Sequence, residues 1–203
     1  MWFRRGRPTA ARTGLQADVF IAYGIALGIL LGFLAGGRLD GLSTIRFHWL
    51  PVAVGGLIVQ ILIFGPLESA VGWAGTPLYV ASTGAVLAAV IRNIRIPGLI
   101  AVVAGACSNL AAIVANGGIM PTDPGAAAIA GIEMDGGFSN SAVVAQPALR
   151  PLTDIFAIPA TIPLANVFSI GDVLIAAGVV VAIVAGMRNG RLEGAVRADT
   201  SYE

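Results

Sequence analysis

Five long apolar stretches dominate this chain and leave few folds open to it. They cover residues 18–37, 47–67, 73–91, 97–115 and 165–187. Each is close to the roughly 20 residues that a helix needs to cross the hydrocarbon core of a bilayer. Asp18 opens the first stretch, and Asp172 lies about a third of the way along the last. The pattern predicts an all-α, polytopic membrane protein with five transmembrane helices.

The composition agrees with a chain that lies mostly in lipid. The 203 residues are 57% hydrophobic and 11% charged, whereas an ordinary soluble domain is about 25% charged. A net charge of +1 does not provide the basic surface of a nucleic-acid-binding protein. The single cysteine, Cys107, cannot form an internal disulfide or a multi-cysteine metal site. We predict that the partners are membrane lipids and other membrane subunits, or further copies of this chain.

Residues 1–203 are predicted to form one integral membrane domain with three parts outside the bilayer. These parts are an Arg-rich tail (1–17), a cap (119–164) and a polar tail (188–203). A connection as long as the cap is unusual, because loops beyond about 12–15 residues are mostly functional or disordered. This connection mixes turn residues such as Pro121 and Pro124 with apolar clusters. It is therefore predicted to be a structured loop on the outer face, between the fourth and fifth helices.

The distribution of arginine predicts the orientation of the chain. Cytoplasmic loops of membrane proteins carry an excess of basic residues. The first and third loops and the C-terminal tail hold seven arginines: Arg38, Arg46, Arg92, Arg95, Arg188, Arg191 and Arg197. This count predicts a cytoplasmic C-terminus in a bacterial cytoplasmic membrane. Four arginines of the N-terminal tail, Arg4, Arg5, Arg7 and Arg12, argue for the opposite orientation, so the side of that tail stays open.

Glycines recur at every fourth position of the first stretch. Gly24, Gly28, Gly32 and Gly36 would share one face of a helix, where a second backbone can come close. This row predicts a helix-packing interface with another helix of the same chain or with a neighbouring subunit.

The third stretch is predicted to be the weakest span. Pro77 follows Gly75 and Thr76, so a helix that starts there and ends at Ile91 has about 15 residues. At about 1.5 Å per residue it would cover roughly 22 Å, which is short for a bilayer.

The single histidine, His48, comes at the start of the second stretch, beside Trp49. One interpretation is ligation of a haem or chlorin metal, since imidazole is a common metal ligand. The commoner role of an interfacial histidine is contact with water and lipid headgroups. No other cofactor and no metal site are predicted.

A group of polar residues is predicted to meet at one membrane face, because the fourth helix ends and the fifth begins there. The group comprises Asn109, Asn116, Asn166, Ser169 and Asp172. Amide oxygens and a carboxylate at membrane depth suit a cation or a polar headgroup. The spacing S-x-x-D of Ser169 and Asp172 gives the alternative, a capping box that satisfies the first backbone N–H groups of the last helix.

No phosphate-binding loop, dinucleotide fingerprint or metalloprotease motif occurs in the chain. The first functional hypothesis is therefore a non-catalytic accessory or scaffold subunit of a larger membrane complex. The second is a small transporter or channel that uses Asn116, Asn166 and Asp172. The third is an enzyme acting on a lipid-linked substrate. Its acid or base would be Asp172, Asp154 or Asp123.

Several short segments resemble a bacterial membrane family called domain of unknown function 5317. The resemblance covers about residues 20–187, and its most specific segment is Phe168-Ser169-Ile170-Gly171-Asp172 with the six residues that follow. The other segments are Gly36-Gly37-Arg38-Leu39, Gln60, Ala115-Asn116-Gly117-Gly118 with Met120-Pro121, Asn140-Ser141, and Asp154-Ile155-Phe156 with Pro159. The resemblance implies an integral membrane protein and brings no activity or cofactor with it.

Overall fold

Helices form at all five apolar stretches. The structure, a computed structural model, describes residues 16–132, 141–144 and 146–199, with side chains described from residue 20 to residue 190 of these ranges. The tail arginines from Arg4 to Arg12 and the carboxylate of Asp18 lie outside the described residues. The helices are α1 (Gln16–Leu34), α2 (Leu50–Ile63), α3 (Glu68–Val71), α4 (Gly75–Arg92), α5 (Leu99–Ala115), α6 (Pro124–Ala130) and α7 (Ile170–Asp199).

Two helical segments of the described chain are long and apolar enough to cross a membrane, Glu68–Arg92 with 25 residues and Ile170–Gly190 with 21. The mostly helical fold agrees with the prediction, whereas five membrane-spanning helices are not supported. The other three apolar helices are shorter, and α2 with 14 residues covers about 21 Å. The prediction that the third stretch is the weakest span was wrong, because α3 and a short 3-10 turn at Gly72–Ala74 extend that helix toward Glu68.

The five long helices pack side by side in the spatial order α1, α7, α5, α4, α2. α7 lies between α1 and α5. It runs parallel to α1, since Gly24 contacts Ala176 and Gly32 contacts Met187. It runs antiparallel to α5, since Gly105 lies at Gly171 near the start of α7. Successive long helices thus run in alternate directions along the chain.

Glycines determine how closely α7 approaches its neighbours. A Cβ added at Gly24 would lie 3.2 Å from Ala176, and one added at Gly28 would lie 3.1 Å from Ile183. A Cβ at Gly105 would overlap the carbonyl oxygen of Gly171. The predicted glycine row is therefore in contact with α7 at three positions, Gly24, Gly28 and Gly32.

The fourth glycine of the predicted row does not belong to this contact. Gly36 follows the end of α1, is exposed and has a φ of 73°. Left-handed backbone of this kind commonly ends a helix. Gly37 takes the buried position against Met187 instead.

Where the structure describes the connection between α5 and α7, it is folded and contains strands that the sequence did not predict. β1 (Met120–Thr122) pairs in parallel with β2 (Ser141–Val143), and β3 (Phe156–Ile158) pairs antiparallel with β4 (Asn166–Phe168). The protein is thus mostly helical rather than all-α. Strands of three residues are too short for an alternating pattern to distinguish them from loops.

Aromatic contacts attach this connection to the first helix. The ring of Phe168 in β4 stacks on Phe20 of α1 at 4.5 Å and on Phe156 of β3 at 5.4 Å, measured between ring centroids. The hydroxyl group of Tyr23 also donates a hydrogen bond to the carbonyl oxygen of Pro163. The connection therefore packs against the N-terminal ends of α1 and α7, which lie at the same end of the helix row.

Candidate functional site

The start of α7 is a capping box built from Ser169 and Asp172. The backbone N–H of Ser169 donates to Asp172 Oδ2 at 2.8 Å, and the backbone N–H of Asp172 donates to Ser169 Oγ at 3.1 Å. Reciprocal bonds of this type satisfy two backbone donors that the helix itself leaves free. The residue spacing predicted this arrangement as the alternative to a ligand site.

Asn109 extends the capping box to a second helix. Its Nδ2 group donates to Asp172 Oδ1 at 2.8 Å, and its Oδ1 atom accepts from Ser169 Oγ at 2.8 Å. Ser169 is fully buried, and Asn109 and Asp172 are half-buried. Both carboxylate oxygens of Asp172 thus accept hydrogen bonds from groups that the fold holds in place. This cluster links α5 to α7 beside the close contact of Gly105 and Gly171.

Asn116, a third member of the predicted site, is used elsewhere. It is the C-cap of α5, and its carboxamide binds both backbone groups of Ala148: Nδ2 donates to the carbonyl oxygen at 2.9 Å, and Oδ1 accepts from the N–H at 2.9 Å. The Nδ2 group also donates to the carbonyl oxygen of Ala112. Asn116 therefore holds the cap against α5 and does not face Asp172.

Asn166, the remaining member, lies in β4 three residues before Ser169 and is 1% exposed. The hydrogen-bonded core of the predicted site is thus Asn109, Ser169 and Asp172, with Asn166 buried next to it in the chain.

Asp154 is a second carboxyl group at this end of the molecule, and unlike Asp172 it is buried. It is 6% exposed and pairs with Thr122 in a parallel bridge, through the backbone bonds of Asp123 to Asp154 and of Asp154 to Pro121. Burial, and to a smaller extent the nearby charge of Asp172, raise the pKa of the Asp154 carboxyl to about 8. The hydroxyl group of Thr122 is buried without a hydrogen-bonding partner. The buried carboxyl group of Asp154 thus lies beside a residue whose buried hydroxyl group has no hydrogen-bonding partner.

Asp123, named with Asp154 as a possible acid or base, has a structural role. Its Oδ1 atom accepts from the N–H groups of Gly125 and Ala126 at the start of α6, and Oδ2 is 3.1 Å from Arg150 Nη2. The bond from Arg150, together with the bonds from the backbone, holds the pKa of Asp123 below its usual range. Asp123 is the N-cap of α6.

His48 lies at the opposite end of the helix row. Its backbone N–H donates to Asn93 Oδ1 at 2.6 Å, and its carbonyl oxygen accepts from Asn93 Nδ2 at 2.7 Å. Asn93 is the C-cap of α4 and also donates to the carbonyl oxygen of Ala89. It repeats at α4 the role of Asn116 at α5. The histidine itself is exposed, with Nδ1 at 3.3 Å from Asn93 Oδ1.

Asn93 and Thr122 were missed by the sequence analysis. An asparagine that binds the backbone of a residue 45 positions away leaves no spacing pattern. Asn93 precedes a turn and a proline, Pro97, which would have supported a helix C-cap. No signal pointed to Thr122.

The fold and the site define a mostly helical protein with two helices able to span a membrane and a buried polar cluster at one end of the helix row. The chain belongs to the family of unknown function DUF5317, whose sequence model matches residues 44–184. No curated protein and no solved structure matches it. The resemblance inferred from the short segments is thereby confirmed.

Proposed function

We propose that this protein is a five-span integral protein of a bacterial cytoplasmic membrane and a non-catalytic scaffold or accessory subunit of a larger assembly there. The observation that carries the proposal is the extent of apolar surface on its long helices.

All five long helices expose large apolar side chains. Leu34 is 75% exposed, Ile61 is 65% exposed and Ile100 is 69% exposed. In the two longest apolar segments, 28% and 22% of the span is buried, whereas the core helix of a soluble protein would be mostly buried. Contiguous apolar surface on this scale needs lipid or a partner to cover it.

The short helices α2 and α5 are compatible with spanning. Connecting residues at their ends, tilt of the long neighbours and local thinning of the bilayer all reduce the mismatch at modest cost. The alternating helix directions support five crossings, because each long helix carries the chain along the helix axes from one face of the row to the opposite face.

Charge separates along the row in the manner of an oriented membrane protein. Arg46, Arg92 and Arg95 lie at the end where α2 begins and α4 stops, and Asp172 lies at the other end. Because cytoplasmic loops carry an excess of arginine, the end with Arg46, Arg92 and Arg95 and the C-terminus face the cytoplasm, and the cap faces outward.

Single cysteines test this orientation in a Cys107→Ala background. Positions 92 and 146 are both exposed and lie at opposite ends. An impermeant thiol reagent added to intact cells should label a cysteine at position 146 and spare one at position 92. Labelling at position 92 alone would reverse the orientation, and a protein recovered from the soluble fraction would remove the membrane proposal.

The subunit role is supported by the open form of the row. α2 is the outermost helix on one side of the row and packs mainly on α4, where Gln60 Nε2 donates to Thr83 Oγ1 at 3.2 Å. Its remaining surface is apolar, and Gly55 on α2 has open space beside it. Small residues with open space suit close approach of another helix.

A native purification in mild detergent tests the role. The full chain should be recovered with a stoichiometric partner, and Gly55→Leu should weaken that association while leaving the fold intact. Gly84→Leu is the matched control, since Gly84 also has open space but lies on α4, inside the row. A protein recovered alone and monomeric, from membranes extracted gently, contradicts the subunit role.

A second candidate function follows from two carboxyl groups. The charge of Asp172 acts on Asp154, and Asp154 adjoins the unpartnered hydroxyl group of Thr122. Such a pair suits the binding of a proton at the outer end of the helix row, as in a small proton-coupled carrier. In proteoliposomes containing a pH-sensitive dye, the protein should then dissipate an imposed pH gradient faster than Asp154→Asn does. Equal rates of gradient loss would reject the carrier function and leave the subunit role as the remaining candidate.

A further inference from the structure

A groove of about 680 Å³ opens at the arginine-rich end of the helix row. Three parts of the chain form its walls: the segment from Thr44 to His48, the turn between α4 and α5, and the stretch of α7 from Ala182 to Asn189. This is the opposite end from Asp172. Along α7, the 17 helical steps from Asp172 to Asn189 correspond to about 25 Å, close to the thickness of a hydrocarbon core. The groove therefore lies near the depth of lipid headgroups.

The polar side of the groove carries positive charge. Arg46, Arg92 and Arg95 line it, and no carboxylate among the described side chains does. Among the described residues, the ion pairs formed by arginine are those of Arg38 with Asp40 and of Arg150 with Asp123. The three guanidinium groups of the groove thus have no carboxylate partner within the described chain. A guanidinium group can bind two oxygens of a phosphate at once, which makes arginine a strong phosphate ligand.

The other side of the groove is apolar. Ile91, Ile94, Ile96 and Ala182 contribute to its lining. Ile91 and Ile94 are also exposed, so this side continues onto the outer surface of the helices. A ligand that fits both sides is an amphiphile, with an anionic head and apolar chains.

The wall of the groove is held in place by Asn93. Its carboxamide binds the backbone N–H and the carbonyl oxygen of His48, and it is 4% exposed. This clamp fixes the loop before α2 against the end of α4. The backbone segments that carry Arg46 and Arg92 are therefore held next to each other by the fold.

We propose that this groove binds the phosphodiester headgroup of an anionic phospholipid, with the acyl chains along the apolar surface beside it. Basic pockets between transmembrane helices on the cytoplasmic side are suited to such headgroups. The proposal rests on the proposed membrane insertion, and it adds a ligand and a site to it.

The test compares lipids that share acyl chains and differ in headgroup charge. The full chain is reconstituted in nanodiscs of phosphatidylcholine containing a minor fraction of phosphatidylglycerol, and the lipid that stays with the protein is counted by native mass spectrometry. Phosphatidylglycerol should be enriched over phosphatidylcholine. Arg92→Gln combined with Arg95→Gln should lower that enrichment by roughly ten- to thirty-fold, since each arginine near an anionic surface contributes about 1 kcal/mol. High salt should weaken it.

Arg188→Gln is the matched control, because Arg188 is exposed on α7 and does not line the groove. It should leave the enrichment unchanged. Arg46→Gln alone, which alters the loop wall, should lower the enrichment by several-fold. This single variant tests the site if the double variant does not fold. A loss in Arg188→Gln equal to that in the groove variants, or no preference for phosphatidylglycerol, would overturn the site.

Two further arms separate other outcomes. Inorganic phosphate at millimolar concentration should not displace the lipid; if it does, the groove is a site for free phosphate. Failure of membrane insertion is scored independently by fractionation and by the cysteine labelling described above. A membrane-inserted protein without headgroup preference therefore rejects the lipid site and leaves the membrane proposal standing.

Discussion

The carboxamide of Asn93 holds His48 mainly by its backbone, and its contact with the imidazole Nδ1 is longer, at 3.3 Å. Asn93 Oδ1 accepts the N–H of His48 at 2.6 Å, and Asn93 Nδ2 donates to the carbonyl oxygen of His48 at 2.7 Å. Any residue at position 48 with the same backbone conformation could make these bonds. The identity of residue 93 therefore matters more for stability than that of residue 48.

We expect Asn93→Ala to reduce the free energy of unfolding by about 2–3 kcal/mol, because it leaves two backbone groups of the loop unpaired in a partly buried position. His48→Ala should change it by less than about 0.5 kcal/mol, since the exposed ring is removed and the backbone bonds remain. Thermal unfolding in detergent measures both. Comparable losses in the two variants would mean that the imidazole, and not the backbone clamp, secures this loop.

The close packing of α5 on α7 predicts a contrast between two glycines. Gly105→Ala places a Cβ against the carbonyl oxygen of Gly171, so the helices must separate at a cost of about 1–3 kcal/mol. Gly55→Ala meets nothing within 4 Å and should be neutral or stabilise α2 by about 0.5–1 kcal/mol. Folded yield after detergent extraction and the thermal midpoint provide the comparison. If Gly105→Ala is tolerated as well as Gly55→Ala, the two helices do not approach as closely as described.

For Asp172, the capping box predicts different effects of two substitutions. Asp172→Ala removes the acceptors of Ser169 N–H and of Asn109 Nδ2 and should cost about 1–2 kcal/mol. Asp172→Asn keeps one acceptor oxygen, and rotation of the Asn109 carboxamide by 180° restores the second bond, so the cost should stay below about 1 kcal/mol. Both variants are scored for thermal stability and for assembly. An Asp172→Asn protein that folds normally but fails to assemble as badly as Asp172→Ala assigns the charge itself a functional role.

The raised pKa of Asp154 predicts a pH dependence of stability. The folded state holds the proton up to a pH of about 8, whereas an unfolded aspartate releases it near pH 4. Between these values the folded state binds more protons than the unfolded state, so stability is full below about pH 4 and falls as the pH rises toward 8. Asp154→Asn should remove this contribution.

The thermal midpoint in detergent, measured from pH 5 to pH 9, checks this dependence. The wild-type midpoint should fall over the interval, and the curve of Asp154→Asn should be flatter and lie higher at pH 8. Parallel curves would place the titrating group elsewhere.

Local patterns in the sequence predicted part of the fold and part of the candidate site. The spacing of Ser169 and Asp172 predicted the capping box because both partners lie within one helical turn. The glycine period of α1 indicated a packing face for the same reason. Gly36 was assigned wrongly because the pattern continues past the residue at which the helix ends.

Contacts between distant segments could not be derived in this way. Asp154 meets Thr122 through a parallel bridge across 32 positions, and Asn116 meets Ala148 across the same separation. Asn116 binds the backbone of residue 148, which is the same for almost any residue type, so the identity of that residue does not predict the bond. The pairing is decided by the path of the whole connection, which no short window of residues contains.

The position of α7 between α1 and α5 has a consequence for the order of biosynthesis. About 135 residues separate the end of α1 from the start of α7, and a ribosome adds roughly 5–20 residues per second. The glycine surface of α1 therefore stays without its packing partner for on the order of ten seconds or more, until α7 has been synthesised. During this interval α2, α4 and α5 can already associate, while α1 still lacks the helix against which it packs. A ribosome stalled before residue 170 would leave two separate helical pieces, and α7 is the element that joins them.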